Sequence, residues 1–268
     1  MSKIPTSSAN WSSGDDYEPY VGRWSRLVAR EFLAWLDLPP ASHWLDVGCG
    51  TGALTQTILI QTMPAAVKGI DRSPAYIAYA KSHIQDSRAS FEVGDAQNLP
   101  VESAAFDTVV SALVLNFIPD IPLALSEMSR VIKPGGIVAV YVWDYAHKME
   151  LMRYFWNAAI LLNPAALELD EGRRFPICSP EPLLNLFEAA GLHELEVRPI
   201  DVLTHFRDFD DYWSPFLQGQ GPAPSYAMSL DETHRLALRE QIRATLPVAS
   251  DGRISLIARA WAVRGRSD

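Results

Sequence analysis

The distribution of apolar and polar positions predicts a helix followed by a region in which strands and helices alternate. Apolar side chains recur at helical spacing from Trp24 to Leu36, and a Pro-Pro pair then ends that pattern. Short apolar runs separated by helical patterns extend from 42 to 143, which is typical of a parallel sheet covered on both faces. Residues 1–16 are rich in Ser, Asn and Gly, so we expect a mobile tail before a single domain at 17–268.

Beyond residue 143 the pattern is less regular but still gives four elements. It predicts helices over Lys148–Asn163 and Pro182–Ala190, and strands over Leu195–Ile200 and Arg253–Val263. The last run alternates apolar and polar positions. The sequence therefore predicts an α/β fold with a Rossmann-like sheet of seven strands.

The segment after the first predicted strand indicates a ligand-binding turn. Glycines stand at positions 48, 50 and 52, and a helical pattern begins at Leu54. Glycine permits a tight turn and lets a ligand approach the backbone, while the helix that follows directs free N–H groups at the turn. The spacing Gly48-x-Gly50-x-x-Ala53 also satisfies the dinucleotide fingerprint, so the glycines alone do not distinguish the ligand.

Asp46 distinguishes a dinucleotide from a ligand without phosphate groups, because it lies inside the strand two residues before the first glycine. A carboxylate at this place repels a pyrophosphate and suits a cationic group. S-adenosylmethionine (SAM) carries an ammonium and a sulfonium and has no phosphate. We therefore expect SAM here, with S-adenosylhomocysteine as its product.

Further motifs follow in a consistent order. A second predicted strand ends at Asp71, suited to both ribose hydroxyls, and a third ends at Asp95, suited to an adenine amino group. A buried fourth strand covers 106–112, and Val131-Ile-Lys-Pro-Gly-Gly136 precedes a fifth strand that begins at Ile137. Together these segments indicate one protein family far more specifically than any single segment does.

With these motifs the chain resembles the class I SAM-dependent methyltransferases, in particular the small-molecule branch that includes the quinone-biosynthesis enzymes. The resemblance covers roughly residues 17–143 and continues more loosely to the C-terminus. It implies a sheet that is mostly parallel, has an antiparallel last strand, and carries helical cover insertions. It also implies a tyrosine-rich N-terminal segment that closes over the cofactor. The expected cofactor-binding residues are Tyr20, Arg26, Asp46, Gly48, Cys49, Gly50, Asp71, Arg72, Asp95, Ala96, Ala112 and Leu113.

The amino-acid composition limits the kinds of binding partner that we expect. The 268 residues include 23 Lys and Arg against 32 Asp and Glu, a net charge of −9, so we expect no nucleic-acid partner. The two cysteines give neither a disulfide framework nor a metal site. The polar N-terminus lacks a signal-peptide pattern, and apolar stretches are too short to span a membrane. We therefore expect a cytoplasmic protein with no membrane partner; the oligomeric state stays open.

Two segments outside the core pattern, at about 144–180 and 204–250, are expected to cover the site and select the methyl acceptor. The second is rich in aromatic residues, which suit an apolar or planar small molecule and exclude water. The alternative interpretation is that these aromatics form a core for the added helices or a dimer contact. The residues concerned are Phe206, Phe209, Tyr212, Trp213, Phe216 and Tyr226.

The sequence marks no catalytic base clearly. His147 is the natural candidate by its ordinary pKa, with Asp144 and Tyr145 beside it at the exit of the fifth strand, and Asn116 at the end of the fourth. The favoured function is methyl transfer from SAM to a small apolar or aromatic metabolite. The alternatives are a protein or RNA acceptor, a SAM-binding module without catalysis, and an NAD(P)-dependent oxidoreductase.

Overall fold

The structure, a computed structural model, describes residues 23–218 and 221–268. Within these ranges seven strands form one sheet in the order β3-β2-β1-β4-β5-β7-β6. β7 runs antiparallel to both neighbours, and the remaining neighbours pair in parallel. The predicted α/β architecture with an antiparallel last strand is confirmed. The strands are β1 (His43–Val47), β2 (Ala66–Asp71), β3 (Ala89–Val93), β4 (Phe106–Ala112), β5 (Ile132–Trp143), β6 (His193–Phe206) and β7 (Ile254–Arg266).

Several helices begin after a residue whose side chain accepts one of the free N–H groups of the first turn. Ser73 and Asp120 cap the helices that follow β2 and precede β5, each accepting a backbone N–H bond three residues on, with a proline in the first turn. The longer helices are α1 (Arg23–Leu36), α2 (Ala53–Gln61), α3 (Pro74–His83), α4 (Ile121–Val131), α5 (Glu150–Leu162), α7 (Pro180–Ala189), α9 (Pro222–Ser229) and α10 (Glu232–Thr245). The shorter ones are α6 (Glu171–Arg174) and α8 (Phe209–Trp213).

The strand order creates a natural ligand site. From β1 the chain proceeds to β2 and β3 on one side, and from β4 it proceeds to β5 on the other. Right-handed crossovers place α2 and α3 on one face of the sheet and α4 on the opposite face. α1 packs against α2, and α7 packs against α4, so helices cover both faces. Ligands of open α/β sheets bind at the carboxyl ends of the strands where this direction changes, here β1 and β4.

The additional helices pack as a group beside the carboxyl end of β5. α5 contacts β7, and both α9 and α10 contact α5. The ring of Phe216 stacks on Phe155 of α5 with centroids 4.6 Å apart. The hydroxyl of Tyr212 donates to the carbonyl oxygen of Leu151 at 2.7 Å. These contacts hold α5 against the end of the sheet.

Strands β6 and β5 are longer than the sequence pattern predicted. β6 continues past Ile200 to Phe206, because residues 201–206 alternate between exposed and buried positions and pair with β7 throughout. β5 begins at Ile132 rather than Ile137, since Ile132 pairs with Phe106 before a register shift in the glycine-containing turn. The second additional segment therefore starts after β6, at about residue 207.

In the part of the chain that the structure describes, no helix combines the length and apolar character needed to cross a membrane. The same residues contain no group of three or more His, Cys, Asp or Glu side chains placed to hold a metal ion.

Candidate active site

The turn after β1 adopts a conformation that glycine favours. Gly48, Gly50 and Gly52 have φ angles of 74°, 52° and 88°, all in the left-handed region. A Cβ on Gly48 would lie 2.4 Å from a methyl carbon of Val114, whereas a Cβ on Gly50 would meet nothing within 4 Å. The backbone N–H groups of Gly48 and Cys49 both donate to the carbonyl oxygen of Ile70, at 2.7 and 3.0 Å. The turn is thus tied to β2, and α2 begins directly after it.

Asp46 is a buried carboxyl group with a free acceptor. Its side chain is fully buried, and Oδ2 accepts a hydrogen bond from Thr55 Oγ1 at 2.7 Å. Oδ1 is also buried and has no hydrogen-bond partner among the described residues. Burial raises the pKa of Asp46 to about 7. A cationic ligand beside this group would satisfy the free oxygen and favour its ionised form.

Asp71 joins the loops that follow β1 and β2. Its Oδ2 accepts from the Gly50 N–H at 2.9 Å, and its Oδ1 accepts from the Ser73 N–H at 2.8 Å. Burial raises the pKa of Asp71 above its ordinary value, and the two backbone N–H bonds oppose that shift. Each carboxylate oxygen retains a second lone pair for a ligand hydroxyl.

An outer chamber of about 660 Å³ opens beside Asp71 at the ends of β2, β3 and β4. Asp95 is exposed in this chamber and accepts from the Gln97 backbone N–H at 2.9 Å. The side chain of Asn116 is buried, and neither its amide nitrogen nor its oxygen has a partner in the described structure. Predicted site residues that line this chamber are Gly48, Asp71, Arg72, Asp95, Ala96 and Asn116.

An inner chamber of about 140 Å³ continues from the outer one past Gly48 and Asp71. Its walls are largely apolar and aromatic, and its charged groups are the carboxyl groups of Asp46, Asp71 and Glu171. No Lys or Arg lines it among residues 23–218 and 221–268. Predicted site residues in this chamber are Asp46, Gly48, Cys49, Gly50, Asp71, Ala112, Leu113 and Tyr145.

Glu171 is a site residue that the sequence analysis missed. It is 1% exposed, although it lies in the first turn of the short helix α6. Its Oε2 accepts a hydrogen bond from Trp156 Nε1 of α5, while Oε1 has no partner in the described part of the chain. Burial raises the pKa of Glu171 to about 7. The sequence offers little signal for this burial, because an acidic residue in a helical first turn is ordinarily solvated.

Three predicted residues lie elsewhere. The side chain of His147 is 76% exposed and contacts Asp144 Oδ1 at 3.2 Å, and neither residue lines either chamber. Asp144 is buried, and its Oδ1 accepts the backbone N–H of His147 at 3.1 Å in the turn after β5. Arg26 lies in α1 and also lines neither chamber. The predicted cofactor residue Tyr20 lies outside the described residues.

The aromatic residues of the second additional segment do not line the chambers. They pack against one another and against α5, as in the contact between Trp156 and Tyr226, whose ring centroids lie 5.7 Å apart. The alternative interpretation, a core for the added helices, is therefore the correct one for these side chains. From this segment, Pro222 reaches the chambers. Aromatic walls come instead from Phe117, Tyr141, Trp143 and Tyr145.

Comparison with known proteins gives consistent matches. A family model described as a methyltransferase domain matches residues 45–140. A 2-methyl-6-phytyl-1,4-hydroquinone methyltransferase from Synechocystis sp. is 32% identical over 187 residues, covering 69% of this chain and 57% of the relative. The chain thus spans little more than half the length of that relative. A demethylmenaquinone methyltransferase from Staphylococcus aureus is 32% identical over 170 residues, covering 58% of this chain and 69% of the relative.

The fold also matches solved structures. A phosphoethanolamine N-methyltransferase from Haemonchus contortus, in complex with S-adenosyl-L-methionine, aligns with a TM-score of 0.58. Its sequence identity is 18%, and the alignment covers 95% of this chain and 56% of that chain. At this identity the likeness establishes the fold.

Proposed function

Because this chain belongs to the methyltransferase family, we propose that it transfers the methyl group of SAM to a small apolar or aromatic acceptor held in the inner chamber. SAM would supply a methyl group already activated by its sulfonium. The chain's own residues bind, align and desolvate the two reactants.

The main support for this proposal is the charge of the inner chamber. Its described lining contains three carboxyl groups and no Lys or Arg, a balance that suits a ligand with cationic groups. A dinucleotide would bring a pyrophosphate to the same turn, where Asp46 would repel it. The free Oδ1 of Asp46 is the specific atom that a cation would satisfy.

The residues present fit the other parts of SAM as well. Asp71 retains acceptor capacity for the ribose hydroxyls, and Asp95 offers an acceptor for the adenine amino group. Asn116 lines the outer chamber and retains an unpartnered amide donor and an unpartnered acceptor. The glycine turn leaves room for the methionine portion beside Asp46, since Gly50 has open space where a side chain would be.

The acceptor class follows from the inner walls. Tyr141, Trp143 and Tyr145 come from the end of β5 and the turn after it, and Met152 of α5 completes an apolar surface. Such walls exclude water and favour a planar or apolar molecule. Holding an acceptor atom about 3–3.5 Å from the methyl carbon lowers the barrier by several kcal/mol through proximity and alignment.

Thermal unfolding with SAM, S-adenosylhomocysteine or NADH tests the cofactor assignment. A ligand present at 100 times its Kd adds about 2.7 kcal/mol of stability, so the two SAM-type ligands should raise Tm by several degrees and NADH should not. Stabilisation by NADH alone would instead favour an oxidoreductase. Asp71→Asn should remove most of the shift, whereas Asp251→Asn, in an exposed turn before β7, should retain it.

Labelled methyl transfer tests catalysis and the acceptor class. We expect the protein to transfer label from SAM into the small-molecule fraction of a cell extract. Label that appears only in protein or RNA would contradict the small-molecule assignment. Binding of SAM with no transfer to any fraction would favour a module without catalysis.

A further inference from the structure

Glu171, in the segment that follows α5, supplies a carboxyl group to the lining of the inner chamber. This side chain is 1% exposed, and it lines the chamber together with the aromatic walls. We propose that Glu171 is the general base of the reaction, and that the acceptor is a hydroxylated aromatic molecule whose O–H group donates to Oε1. This inference rests on the proposed function.

The hydrogen-bond arrangement of Glu171 supports this role. Trp156 Nε1 donates to Oε2, which fixes the orientation of the carboxyl group from the neighbouring helix α5. Oε1 is buried without a partner among the described residues, and an unsatisfied buried acceptor is costly. A bound hydroxyl group would remove that cost. The carboxyl group is therefore both oriented and available.

Burial, more than the surrounding charges, gives Glu171 a pKa at which it can accept and release a proton near neutral pH. Arg153 of α5 forms an ion pair with Asp170 at 2.7 Å. The negative charge of Asp170 therefore offsets part of the electrostatic effect of Arg153 on Glu171. Burial is the largest influence and raises the pKa of Glu171 to about 7; Asp170 raises it further, while Trp156 and Arg153 lower it. The other titratable groups of the inner chamber are Asp46, Cys49, Asp71, Tyr76, Tyr141 and Tyr145.

A hydroxylated aromatic acceptor requires a general base, because its hydroxyl group must lose a proton as it attacks the methyl carbon. A neutral amine can attack a methyl carbon before it loses a proton, whereas a neutral phenol is a poor nucleophile until its proton leaves. In the proposed step, the proton of the acceptor hydroxyl passes to Glu171 and the oxygen forms a bond to the methyl carbon. The methyl carbon–sulfur bond breaks, and its electron pair remains on sulfur. Glu171 then releases the proton to solvent.

Binding of two matched probes tests the hydroxyl recognition without turnover. With S-adenosylhomocysteine saturating at pH 8, we expect the protein to bind 2-naphthol about tenfold more tightly than 2-methoxynaphthalene, as titration calorimetry would measure. In Glu171→Gln, the amide oxygen is needed by Trp156, so the NH₂ group faces the chamber and cannot accept the hydroxyl proton. The preference for 2-naphthol should then disappear.

Turnover of 2-naphthol tests the catalytic role. We expect wild-type protein to form 2-methoxynaphthalene from SAM at a rate that rises with pH and levels off above about 7, as Glu171 ionises. Glu171→Gln should lower this rate by about 100-fold or more and remove that pH dependence. Glu168→Gln is the matched control, because Glu168 is exposed and paired with Arg173, and its rate should equal the wild type.

The outcomes separate the two proposals. If neither SAM nor S-adenosylhomocysteine raises the Tm of the wild type, the proposed function fails. If they do, equal wild-type affinity for the two naphthalenes, or no wild-type affinity for either, overturns the role of Glu171. So does an unchanged rate and pH profile in Glu171→Gln. Stabilisation of that variant by S-adenosylhomocysteine verifies its fold, and the wild-type probe comparison does not depend on the variant.

Discussion

The two chambers of the cleft are built in different ways. The outer chamber is formed mainly by loops at the ends of β2, β3 and β4, and Arg174 of α6, Phe175 and Pro222 complete it. The inner chamber combines the turn after β1 with β5, α5 and α6, which are far apart in the sequence. The residues that we assign to the cofactor therefore come mostly from short local motifs at the strand ends, and the walls that we assign to the acceptor depend on tertiary packing. Substitutions should act differently at the two ends.

The largest effect is expected at the turn shared by both chambers. Gly48→Ala combines left-handed backbone strain with a 2.4 Å clash against Val114, so we expect a loss of about 3 kcal/mol in unfolding free energy and no stabilisation by SAM. Gly50→Ala is the matched control for the stability measured without SAM, because it adds strain without a clash and should cost about 1 kcal/mol. Denaturant unfolding with and without SAM measures both. Equal losses in the two variants would show that packing against Val114 is unimportant.

At the acceptor end, the next largest effect concerns stability against pH. The pKa of Glu171 is about 7 in the fold against an ordinary value of 4.5, so the stability associated with its neutral form is present below about pH 4.5 and is lost as the pH rises through 7. Glu171→Gln does not titrate. Relative to wild type, it should therefore gain on the order of 2–3 kcal/mol between pH 5 and 8.

Urea unfolding at pH 5, 6, 7 and 8 measures this difference between Glu171→Gln and wild type. Glu168→Gln serves as the control, because its exposed carboxyl group should give a difference that stays flat with pH. A flat difference for Glu171→Gln as well would mean that the buried carboxyl group is not held neutral by the fold.

At the cofactor end, Asp46 should couple SAM binding to proton release. The pKa of Asp46 is about 7 without ligand, and a cationic ligand lowers it. SAM affinity should therefore rise about fivefold from pH 6 to 7, rise about twofold more above pH 7, and level off near pH 8. Calorimetry at pH 6.5 in buffers of different ionisation enthalpy should detect proton release. In Asp46→Asn the part of this dependence that comes from Asp46 should vanish. An unchanged pH profile would show that Asp46 does not face the cationic part of the ligand.

The difference between local motifs and tertiary packing also explains which features could be predicted from the sequence. The sheet, the glycine turn and the carboxylates at Asp46 and Asp71 follow from local patterns, because each depends on residues close to it in the chain. Glu171 could not be predicted, since its burial requires Trp156 and the packing of α5 against the end of the sheet. His147 was a reasonable expectation by chemistry, but the turn after β5 directs it to solvent.

The smallest effect should come from the exposed edge of the outer chamber. Asp95 is exposed and accepts the Gln97 backbone N–H, so a hydrogen bond from an adenine amino group would form in competition with water. We expect Asp95→Asn to weaken SAM binding by about threefold, compared with at least tenfold for Asp71→Asn, whose side chain is 7% exposed. Titration calorimetry of the two variants gives the ratio directly. Equal losses would mean that burial in the free protein does not set the strength of the cofactor contacts.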